Sequence, residues 1–184
     1  GAFMNQGIHS IDLLQWLVGE PVTSVNGRIA TIAHNGIEVE DTGTAQLQFA
    51  NGALGTVMCA TSMWPGHFRT TTIAGTDGTA VLADGQLLFW QFMHETATDN
   101  DIRQRLLRLP GTGIGGSDPS AGVDSDGHAA VLQDFMGAIV EKQPLAVGGY
   151  EARKSVAIIR AVYESALADG APVGVDSKGV PSPS

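Results

Sequence analysis

Three side chains near the start of the chain have the types and spacing for proton transfer. Asn5 and His9 are four residues apart and His9 and Asp12 three apart, so a helix would carry all three on one stripe. An imidazole titrates near neutrality, which suits it to taking and giving a proton. Asp12, one turn away, can fix the imidazole tautomer, and the Asn5 amide can hold a substrate hydroxyl. The competing role for His9 is that of a satisfied structural residue on a half-buried helix, and spacing alone leaves both open. A metal centre fits poorly, because Asn is a weak ligand and no second His or Cys joins the group.

Other candidates are more scattered. His128 opens a later helix, where it can cap the helix or line a pocket. Trp64 and His67 flank Pro65 and Gly66 in a turn. A Trp can stack on a sugar ring and a His can hydrogen-bond to it, although core packing is the commoner role of a Trp. Gly111 to Gly116 spells the G-x-G-x-x-G pattern of dinucleotide sites. That motif needs a strand before it and a helix within it. Here Pro110 precedes it and Ser117-Asp118-Pro119-Ser120 follows, so we read a loop and assign no cofactor to it.

The elements that must position these residues follow from periodicity. Asn5 to Val18 has apolar residues at helical spacing (Ile8, Ile11, Leu14, Leu17), with Gly19 and Pro21 as stop signals. Trp16 is expected to pack at its end. Strand-like runs then cover Val22–His34, Thr42–Ala50, Ala53–Thr61, His67–Gly75, Thr79–Ala83 and Gln86–Phe92. Asn51-Gly52 and Asp84-Gly85 between them are strong hairpin signals. Alternation in Thr42–Ala50 puts Ala45, Leu47 and Phe49 on one face and Thr44, Gln46 and Gln48 on the other, as in a sheet with one free face. Signals weaken from His94 to Asp126, and Pro110–Gly127 reads as a long loop. Two helices close the chain, Gly127–Glu141 with Asp126 as N-cap and Gly149–Asp169. Their apolar stripes are Leu132, Phe135, Met136, Ile139 and Ala152, Val156, Ile159, Tyr163, Ala166. The segregated order predicts an α+β fold: a mainly antiparallel open sheet of about six strands with helices on one face. Residues 1–175 are expected to form one domain and 176–184 a frayed tail.

Bulk properties exclude several functions. The 184 residues carry a formal net charge of −9, and the basic residues are scattered, which argues against a nucleic-acid surface. Arg103, Arg105 and Arg108 read as a solvated face. No apolar run is long enough to span a bilayer. Cys59 is the only cysteine, so no intrachain disulfide can form, which suits a cytoplasmic protein. Its strand setting predicts a small buried hydrophobe.

The opening segment Gly1-Ala2-Phe3-Met4-Asn5-Gln6-Gly7-Ile8-His9-Ser10-Ile11-Asp12-Leu13-Leu14-Gln15-Trp16-Leu17-Val18-Gly19 resembles the start of the C-terminal domain of the Gfo/Idh/MocA oxidoreductases. So do His128–Phe135, Pro144 and the helix ending Ala161-Val162-Tyr163-Glu164-Ser165-Ala166. The resemblance implies an N-terminal Rossmann domain that binds NAD or NADP and supplies a Lys, and a C-terminal domain with the substrate pocket and an open sheet used in oligomer contacts. It implies hydride transfer at a hydroxyl-bearing carbon of a sugar, inositol or related polyol, with His9 in proton transfer. Asn5, Asp12, His128, Trp64 and His67 are the candidate substrate-binding residues. The family often has Asp where this chain has Asn5, and an amide cannot relay a proton. No strand–glycine turn–helix precedes Gly1, so the Rossmann domain is expected to be absent and the chain alone inactive. A homo-dimer or tetramer through the sheet face is expected. The alternative is a non-catalytic α+β module for dimerisation or small-ligand binding.

Overall fold

A computed structural model describes residues 1–66, 69–107 and 125–175. The chain divides into two compact units, Gly1–Ser62 with Val123–Ser184, and Met63–Gly122. The fold is α+β with antiparallel strand pairing, as expected, and its strands are shared between two sheets.

The first unit opens with a π-helical turn, Phe3–Gly7, that runs into α1, Ile8–Val18. Gly19 ends the helix in the left-handed region (φ 73°) and its N–H bonds the Gln15 carbonyl. Strands β1 (Val22–Ala30), β2 (Thr42–Phe49) and β3 (Leu54–Ala60) follow, and β7 (Val173–Gly174) pairs with β1, giving the order β3-β2-β1-β7. Asn51-Gly52 makes the β2–β3 hairpin, with Gly52 at φ 87° and the Asn51 side chain accepting the Ala53 N–H. The long β1–β2 connection is gathered by Asp41, whose buried carboxylate accepts the N–H groups of Ile32, Ala33 and His34. These bonds to the ionised form hold its pKa well below the usual carboxylate range, against the opposing effect of burial.

Alternation sorts the sheet's faces as read from the sequence. Val25, Ala45, Leu47 and Phe49 are buried under α1 and α4 (Gly149–Leu167), whose Ile158, Ile159 and Val162 complete the core. Each of the larger of these side chains (Val, Leu, Ile, Phe) contributes roughly 1.5–3 kcal/mol. The helix meets β1 closely: a Cβ on Gly27 would stand 2.7 Å from the Val162 carbonyl. Ser165 accepts the Gly27 N–H at 2.8 Å and donates to the Ala171 carbonyl at 2.6 Å. The buried stripe of α4 is therefore Ser155, Ile158, Ile159, Val162 and Ser165, rotated from the predicted one, and Ala152 is exposed. Helix α3 (Ser125–Glu141) begins at Ser125, ahead of the predicted cap Asp126.

The second unit holds a three-stranded sheet, β4 (Thr70–Ala74), β5 (Gly78–Ala83) and β6 (Gln86–Phe92), in the order β4-β5-β6. Asp84 and Gly85, both at positive φ (46° and 79°), form the two-residue β5–β6 turn. Helix α2 (Ala97–Leu106) was not expected. Thr96 and Asp99 cap it reciprocally, and Asp99 also accepts the Trp90 indole N–H at 2.9 Å. Arg103 pairs with Glu95 at 2.5 Å and Arg105 with Asp101 at 3.1 Å, so these two basic residues are locally neutralised. Of the expected loop Pro110–Gly127, residues 125–127 belong instead to α3; the rest of it, with Gly111–Gly116, Arg108 and residues 176–184, lies outside the described residues. No helix among the described residues is long and apolar enough to cross a membrane.

Candidate active site

The helix bearing Asn5, His9 and Asp12 is seated on the sheet by its inward side. Phe3 is buried, and its ring fills space that a side chain on Gly43 of β2 would occupy, since a Cβ there would stand 2.5 Å from the ring. One turn on, a Cβ on Gly7 would stand 2.5 Å from the Cys59 sulfur on β3. Ile11 continues the buried row. Small residues thus let the π turn lie against the strands.

Glu40, buried just before β2, anchors the start of that turn. Its side chain accepts the Phe3 N–H at 2.9 Å and the Tyr163 hydroxyl at 3.0 Å, and its carbonyl accepts the Ala2 N–H at 3.0 Å. Burial and Glu40 together push the Tyr163 hydroxyl up to about 12, so it stays protonated as a donor. Burial, helped by Glu40, pushes the Cys59 thiol up to about 11. That fits the buried, unreactive thiol expected from its strand setting.

With Phe3, Gly7 and Ile11 turned inward, Asn5, His9 and Asp12 are all exposed. Among the described residues, neither the Asn5 amide nor the His9 ring has a hydrogen-bond partner, so both are free for a ligand. Asp12 is engaged elsewhere: it accepts the Ser155 hydroxyl of α4 at 2.7 Å. The arrangement can present one imidazole and one amide to a hydroxylated ligand, with Asp12 tying their helix to α4.

The remaining candidates are placed separately. His128 is exposed in the first turns of α3. Trp64 lies in the second unit and is 88% exposed, not core-packed. His67 lies outside the described residues. Trp16 also departs from expectation, with 77% of its surface exposed at the end of α1. Sequence reasoning missed Glu40 and Gly43, because a lone acid before a strand and a glycine within one carry no periodic signal. A cavity of about 460 Å³ lies on the free sheet face, lined by Asn26, Arg28, Gln46, Thr56 and Met58 among others. Among the described residues no three His, Cys, Asp or Glu cluster as a metal site requires. A dinucleotide needs a strand, a glycine turn and a helix N-terminus in series. The named strands pair only antiparallel, and the described residues offer no such cradle, so they do not fit that cofactor.

The fold is an α+β domain whose opening helix presents an exposed imidazole and amide. Residues 1–81 match the GFO/IDH/MocA C-terminal domain family. Over these residues the chain is similar to the C-terminal domain of the Gfo/Idh/MocA oxidoreductases. Among solved structures it resembles the WlbA dehydrogenase from Bordetella pertussis in complex with NADH and UDP-GlcNAcA, with 31% identity and a TM-score of 0.75. The match covers 100% of this chain and 48% of that one. Levoglucosan dehydrogenase, solved with NADH and levoglucosan, is similar at 26% identity and a TM-score of 0.71, covering 95% of this chain and 50% of that one. The chain thus spans about half the length of the solved relatives it matches. No curated protein matches it.

Proposed function

We propose that residues 1–175 are the substrate-binding half of a nicotinamide-dependent oxidoreductase acting on a hydroxyl of a sugar or related polyol. The observation that carries this is the free His9 ring, outward on a helix whose inner side is fixed by Phe3, Gly7 and Glu40. NADH and a sugar or sugar nucleotide occupy the relatives. In this reading His9 takes or returns the hydroxyl proton, Asn5 orients a neighbouring hydroxyl, and Asp12 acts by holding the helix. His128, exposed in the first turns of α3, is a further candidate to contact the sugar. NAD or NADP is held mainly by a nucleotide-binding domain outside this chain. Cytoplasmic placement suits the free thiol of Cys59.

The test is a calorimetric titration. The 184-residue chain is expected to show no tight binding of NADH or NADPH and no turnover. Stoichiometric, tight binding by this chain would overturn the division of labour.

A second reading concerns the free face of the four-stranded sheet. Arg28, Thr44 and Met58 lie side by side across it, as do Asn26, Gln46 and Thr56, and Met58 is largely exposed. We propose that this polar face with apolar spots joins copies of the chain in a dimer or tetramer. A clean monomer in sedimentation at high concentration would contradict it. If the longer protein lacks turnover, the substitution of Asn5 for the usual Asp favours a non-catalytic member.

A further inference from the structure

Helix α3 is built with its large apolar side outward. Val131, Leu132, Phe135, Met136, Ile139 and Val140 are 51% to 80% exposed, and together they span about half of the helix circumference. Asp134, Gly137 and Ala138, on the other side, are the half-buried ones. Asp134 spends its carboxylate on the Ala146 N–H at 3.1 Å. A water-facing helix normally shows the reverse order. Scattered exposed apolar residues need no explanation, but a contiguous arc of six marks a docking surface. Helices in proteins draw most of their stability from packing an apolar face, and α3 leaves its larger apolar face uncovered.

We infer that the arc of α3 is the docking face for the nucleotide-binding domain that the proposed function requires, and the inference rests on that reading. The solved relatives are about twice the length of this chain, so a second body of similar size must meet this one somewhere. None of the six arc residues is charged, which fits a permanent contact within one protein better than a transient one. His128 lies on the same stripe, four residues before Leu132 and seven before Phe135. A domain seated on the arc therefore ends against His128, which places that ring at the margin of the joint.

The experiment is hydrogen exchange, read on peptides from 127–141, in two proteins. One is the 184-residue chain; the other restores the coding segment ahead of Gly1. The α3 amides are expected to exchange readily in the first and at least about tenfold more slowly in the second. The pair Leu132→Asp and Phe135→Asp should leave the melting of the 184-residue chain unchanged and abolish the protection in the longer protein. No protection in the longer protein would overturn the inference. So would an arc already protected in the 184-residue chain, whether at every concentration (cover by its own residues) or only at high concentration (a second copy). NADH binding by the longer protein is scored separately. Protection without NADH binding would overturn the nucleotide-binding partner, whereas NADH turnover with an unprotected α3 would leave the proposed function standing and remove this docking face.

Discussion

The hydroxyl of Ser155 donates to the Asp12 carboxylate at 2.7 Å, joining the site helix to α4. Ser155 is itself buried, so its hydroxyl has left water for this one partner. The pairing separates two roles on one stripe, with Asp12 holding the helix and His9 left free. Ser155→Ala should therefore lower stability by about 1 kcal/mol. His9→Ala should change it by less than about 0.5 kcal/mol, because the ring is exposed and unbonded. Urea denaturation of the 184-residue chain checks both. A larger loss at His9 than at Ser155 would reverse the assignment.

Gly7 is where the site helix comes closest to β3. Gly7→Ala puts a methyl group against the Cys59 sulfur and should cost about 1–3 kcal/mol. Cys59→Ala removes the obstructing atom, so the double variant should recover much of the loss. The measurement is a double-mutant cycle, and simple additivity would show that the two residues do not press on one another.

The thiol of Cys59 gives a pH signature. Its pKa is raised to about 11 in the folded chain from an ordinary value of 9.0. Below pH 9 both states hold the proton and nothing is lost. Between pH 9 and 11 the unfolded chain ionises first, so stability falls across that window. Cys59→Ala should flatten that part of the profile. A thiol reagent at pH 8 should label the native chain far more slowly than the unfolded one.

Asp41 acts at the other end of the scale. Its pKa is depressed, chiefly by the His34 N–H and then those of Ile32 and Ala33. Its contribution is complete above the ordinary value of 3.8 and is lost as pH falls towards the depressed one. Asp41→Asn should remove this acid-side slope and loosen the β1–β2 connection, read as faster amide exchange at residues 32–34.

Much of the sheet was legible because its turns use residues that few other structures demand. Gly52 and Gly85 sit at positive φ in the places where Asn-Gly and Asp-Gly were read as turns. The start of α2 was also written in the sequence, as Thr96 with Asp99 three residues on. It went unread because the helix buries none of its residues and so shows no apolar period. The π turn had no signal, since Phe3, Gly7 and Ile11 give the same period in a slightly drifting α-helix. The α3 stripe was read correctly as a stripe, but periodicity says only that a face exists, not what meets it. Two-residue β7 is a product of docking against β1. At the site, the outward row of Asn5, His9 and Asp12 was legible from spacing. The fixing of that row by Glu40 and Ser155 was not, because both act from far along the chain.

The central claim is that the outward imidazole of His9 handles the proton of a sugar hydroxyl. The most direct test is kcat against pH for the protein with its preceding coding segment restored, wild type beside His9→Ala. The account predicts a fall of roughly 10²–10⁴-fold and loss of the near-neutral limb of the profile, with the fold intact by circular dichroism. A near-normal rate with an unchanged profile would contradict it.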